Sequence, residues 1–92
     1  GPPRATIFPY PTRFRSIRMR TPVEKIRPLP GGQSYEAKVT NIYGPDGKEI
    51  LHPQKSIYWS GIFWGHTSQE AQKLAEDDAC KTLTKILSGK SD

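Results

Sequence analysis

The chain predicts an α+β domain, a small antiparallel β-sheet packed against a C-terminal α-helix. Three observations carry that expectation. Ala71, Leu74, Ala75, Ala79, Leu83, Ile86 and Leu87 recur at three- and four-residue steps, which is one face of a helix. Tyr35, Ala37 and Val39 alternate with Glu36, Lys38 and Thr40, the period of a half-buried strand. Ninety-two residues, 34% of them apolar, suffice for one modest core.

Residues 1–33 read as an N-terminal extension. They carry seven of the nine prolines and end in Pro28-Leu29-Pro30-Gly31-Gly32, a boundary signal. A short element over Val23–Arg27 is too brief to assign. The leading Gly1-Pro2 reads as a scar of proteolytic cleavage, so an excised domain is expected. The net charge of +5 sits in this extension, because Arg4, Arg13, Arg15, Arg18 and Arg20 occur before residue 24 with no acid among them. Residues 24–92 hold nine basic and nine acidic side chains. Arginine interleaved with Phe8, Tyr10 and Phe14 suits phosphate forks and base stacking. A solvated linker or a targeting remnant has the same composition, and both readings stay open.

The domain proper is expected over residues 34–88, with 89–92 as a tail. The first strand continues through Asn41-Ile42-Tyr43 into Gly44-Pro45-Asp46-Gly47, a strong turn. Lys48–Leu51 starts a return strand that Pro53 keeps short. Lys55–Gly65 is the richest β segment. Its alternation puts Ile57, Trp59 and Phe63 on one face, under the helix, and Tyr58, Ile62 and Trp64 on the other. That second face either packs under the N-terminal segment or meets a partner.

A helix is expected over 68–88. Thr67-Ser68-Gln69-Glu70 reads as a capping box, acids gather early, Lys81 and Lys85 come late, and Gly89 closes the element. The thin Ala71-Ala75-Ala79 stripe lets the helix backbone approach the sheet closely, with Leu83 and Leu87 sealing the far end.

From Tyr35 onward the chain resembles the double-stranded-RNA-binding domain family. Tyr35 opens a strand, Gly44-Pro45 gives the loop, and Gly65-His66-Thr67 gives the turn into a helix striped by Ala71, Ala75, Ala79 and Leu83. The match spans roughly residues 34–88, and its helix is the more specific part. The resemblance implies a dsRBD-like fold and a grip on RNA phosphates at the helix start, through His66, Thr67, Ser68, Gln69, Gln72 and Lys73. Arg13, Arg15, Arg18 and Arg20 are expected to add charge to it. Three departures mark a divergent member. Ser68, Gln69 and Gln72 stand where the family has a lysine cluster, with Lys73 displaced by one. The stretch where the family's first helix belongs holds Pro22, Pro28, Pro30, Gly31 and Gly32. Gly47 stands where a histidine is common. Gly44-x-x-Gly47 is also similar to the backbone-clamping loop of the KH family, but that loop joins two helices and strand patterns flank this one.

Catalysis and cofactors are not expected. His52, His66 and the single Cys80 have no metal-ligand spacing, and a cysteine on a helix core face is ordinarily inert. No run of about 18 apolar residues can span a membrane. One cysteine suggests a reducing, intracellular compartment. The expected function is therefore a noncatalytic module binding double-stranded or structured RNA in a larger RNA-processing protein such as a helicase, nuclease or ribonucleoprotein subunit. The rival is a protein-interaction module on the same fold, using Tyr58, Ile62 and Trp64. No small-molecule substrate is expected.

Overall fold

Three passages of chain build the β layer in the computed structural model, which describes residues 16–89. The elements are β1 (Arg18–Arg20), β2 (Val23–Lys25), β3 (Tyr35–Ala37), β4 (Asn41–Tyr43), β5 (Glu49–Ile50), β6 (Phe63–Gly65) and α1 (Ser68–Leu87). They form two three-stranded antiparallel sheets, ordered β1-β4-β5 and β2-β3-β6, with one helix, so the fold class is α+β as expected.

The two sheets are successive halves of one bent meander. Arg20 registers with Asn41, and its carbonyl also accepts from the Thr40 amide at 3.0 Å. Beyond Pro22, Val23 registers with Ala37. The central passage thus holds one residue more than its neighbour, the arithmetic of a β-bulge, which bends and twists a sheet. Val39, fully buried beside the bulge, leaves the ladder. Its amide donates to the Ser60 hydroxyl at 2.9 Å and its carbonyl accepts from the Trp59 amide at 2.8 Å.

The first passage corrects the expected boundary at residue 33. Ile17 and Met19 are buried while Arg18 and Arg20 are exposed, so part of the supposed extension is an alternating edge strand. Two strands, and no helix, occupy the described residues ahead of Tyr35, where the family resemblance implies a first helix. The backbone-fixing prolines and paired glycines there oppose a helix and tolerate an edge.

The third passage corrects the expected long strand over Lys55–Gly65, of which only Phe63–Gly65 is strand. The Lys55 amide closes a turn onto the His52 carbonyl at 2.9 Å, and Lys55 takes a φ of 54°, which no strand accommodates. Ile57 consequently sits 79% exposed instead of in the core, whereas Trp59 is buried and Phe63 packs against the core. The Gly44–Gly47 turn forms as expected. Gly47 adopts a φ of 81° and its amide reaches the Gly44 carbonyl at 2.9 Å.

On α1 the alanine stripe is fully buried, and the Thr67 hydroxyl accepts from the Glu70 amide at 3.0 Å. The buried face is shifted from the expected one. Each four-residue step carries the stripe about 40° round the helix, toward the side bearing Glu76 and Cys80, and both are buried. Leu74 falls on the trailing side and is exposed. Leu87 in the last turn is exposed too, and Ile86 packs against the core in its place. Glu76 is not a solvated dipole partner. It accepts from the Thr21 hydroxyl at 2.6 Å and from the Gln72 amide at 3.0 Å, tying the first passage to the helix. No helix among the described residues is long and apolar enough to cross a membrane.

Candidate nucleic-acid interface

The start of α1 is held against the sheet by backbone contact. A Cβ added to Gly65 would lie 2.6 Å from the Ala71 nitrogen, and the Gly65 carbonyl accepts from the Ser34 amide at 3.0 Å. His66 then reaches beside Gly32 of the neighbouring loop. His66, Thr67 and Gln69 are exposed and Ser68 is half-buried, so four of the expected contact residues share one surface.

Their electrostatics are weak. The Ser68 hydroxyl donates to the Gln69 side-chain oxygen at 3.2 Å, and the Thr67 oxygen is used in capping. Gln72 turns inward to Glu76, and the Lys73 ammonium pairs with Asp77 at 2.8 Å. Of the six helix-start residues expected to hold phosphate, the one cation is thus already paired.

Arg18 and Arg20 stand elsewhere. Strand alternation places both on the outward face of β1, opposite the face that buries Met19, so they do not join the helix start. Register sets Arg18 across from Tyr43 and Arg20 across from Asn41. Neither arginine makes an ion pair among the described residues. Glu49, the acid closest in register, accepts from the Asn41 amide at 2.8 Å. Arg13 and Arg15 lie outside the described residues.

The expected partner face is brought together in part. Trp64 (46% exposed) and Ile62 (43%) point away from the helix, and Tyr58, half-buried, lies under the Lys38 ammonium at 5.6 Å from its ring centroid. Sequence reasoning missed Tyr43 as the cross-strand neighbour of Arg18. The alternation Ile17-Arg18-Met19-Arg20 was the available signal, but the pairing spans an intervening loop.

Cys80 lines an open groove of about 600 Å³ along α1 with Asp77, Lys81 and Thr84. Burial, then the charges of Asp77 and Glu76, push its thiol up to about 11. At neutral pH it stays protonated and unreactive. Alkylation by iodoacetamide at pH 8 should run about a hundredfold slower in the folded protein than in urea, following the thiolate fraction. Equal rates would mean the helix does not shield it. Among the described residues no three His, Cys, Asp or Glu side chains are grouped to hold a metal.

Compared with protein-family models, with curated proteins and with solved structures, the chain matches none.

Proposed function

We propose that this domain is a noncatalytic RNA-binding module of a larger RNA-processing protein and a divergent relative of the double-stranded-RNA-binding domains. Its grip comes mainly from the outward face of β1 and β4. The observation that carries this reading is the pair of exposed arginines, Arg18 and Arg20, which make no ion pair among the described residues and stand in register with Tyr43 and Asn41. Guanidinium groups fork onto phosphate oxygens, and an adjacent ring offers a stacking surface for an unpaired base. The helix start adds neutral donors, and Lys73 contributes little while Asp77 holds it. Structured RNA with unpaired bases suits this face better than a plain duplex, whose readout rests on groove shape and 2′-hydroxyls.

The test is titration with a short RNA duplex and a single-stranded RNA, each at two salt concentrations. Replacing Arg18 and Arg20 by glutamine should weaken binding and lower the log–log salt slope by about 1.4–1.8, two phosphate contacts' worth. No affinity at low salt, or an unchanged slope, would sink the reading. A second reading, a protein-interaction module, is favoured by the exposed Trp64 and Ile62 on the outward face of β6 and the residue before it.

A further inference from the structure

We propose that the outward face of β2, β3 and β6 docks a basic, extended segment of a partner protein, seating an arginine side chain between Glu24, Glu36 and the ring of Trp64. This rests on the protein-interaction reading and supplies the partner's chemistry. Register aligns the three residues in one row across the sheet, with Glu24 opposite Glu36 and Glu36 opposite Trp64. Val23, Ala37 and Phe63 form the neighbouring row and face the helix, so the Glu24 row faces away from it.

Two carboxylates directly opposite each other stand about 5 Å apart at Cβ and repel. Among the described residues nothing compensates that repulsion. Glu36 accepts from the Trp64 indole N–H at 3.2 Å, which holds the ring beside the pair, and Glu24 has no partner among the described residues. The nearby cation, Lys38, sits over Tyr58. Among the described residues no planar cation pairs with the row. A guanidinium presents donors to both carboxylates while stacking on the exposed indole, whereas an ammonium can satisfy the charge but not the plane. An RNA phosphate would meet two carboxylates here and be repelled. An extended segment presents alternate side chains to such a face, so one arginine can enter the row while its neighbours meet Ile62.

The experiment is a low-salt titration of ¹⁵N-labelled protein with an eight-residue peptide of alternating threonine and arginine. Lysine and glutamate versions and an RNA duplex run in parallel. The Trp64 indole resonance is read, with the buried Trp59 indole as internal control. We expect the arginine peptide to shift Trp64 and to bind about tenfold tighter than the lysine peptide, with a similar loss when Glu24→Gln and Glu36→Gln are combined. Glu24→Gln alone leaves the Glu36–Trp64 bond intact and should lose part of the affinity in a fully folded protein. An unshifted Trp64, or affinity indifferent to both glutamines, overturns the proposal. Binding of the glutamate peptide at Trp64 overturns the basic chemistry while leaving the protein-interaction reading standing. Silence from all peptides removes both, and a Trp64 shift with RNA transfers this face to the nucleic-acid reading.

Discussion

Trp59→Ala should lower the free energy of unfolding by about 3–5 kcal/mol, the usual cost of emptying a buried large aromatic site. The residue is 3% exposed and belongs to an irregular passage that has no ladder of its own. Its amide is bonded to the Val39 carbonyl, and its ring lies 4.7 Å from that of His52, so the side chain plugs the core while the backbone closes the bulge. Small domains are stable by only about 5–15 kcal/mol, so the loss consumes a large share of the total. The measurement is urea unfolding followed by helix circular dichroism. A midpoint within error of the parent would mean the passage between β5 and β6 is dispensable to the core.

Gly65→Ala should be nearly as damaging for the opposite reason. The new Cβ would sit 2.6 Å from the Ala71 nitrogen and 2.8 Å from the Glu70 Cβ. The first of these neighbours is backbone, which cannot swing aside, so the first turn of α1 must lift from β6. Overpacking costs about 1–3 kcal/mol, and the upper part of that range is expected where backbone meets backbone. Thermal unfolding checks it, and an unchanged midpoint would mean the helix does not touch the strand at Gly65. Both variants act on packing, and neither removes a charged group.

The helix was legible in the sequence because its signals are local. The cap, the alanine spacing and the closing Gly89 fall within some twenty residues, and the Thr67 cap forms as its spacing implies. Strand partners are set by residues far along the chain, and here the difficulty doubled. Pro22 and the arginines disguised Arg18–Lys25 as linker, and alternation cannot show that Lys55 turns the chain out of extended conformation. The helix-start residues do share a surface, but what neutralises them lies one turn on. Gln72–Glu76 and Lys73–Asp77 are both four apart, a spacing visible in the sequence from which both pairings could have been read. Glu24 opposite Glu36 had no local signal at all, because only the strand register creates that pair.

The bulge also determines where this chain can change length. Side chains along the central passage point into the core at Tyr35, Ala37 and Val39, and then at Ile42, so the count between the last two is three where regular alternation has two. Loss of Thr40 alone restores the even count. Every remaining side chain keeps its side, and the sheet merely straightens. Loss of one residue from within β3 or β4 instead reverses the parity of every later position in the passage, driving charged or amide groups inward and apolar ones out. A lineage could therefore shed a single residue at Thr40 with every core side chain keeping its side, giving up curvature, while the strands on either side stay fixed in number.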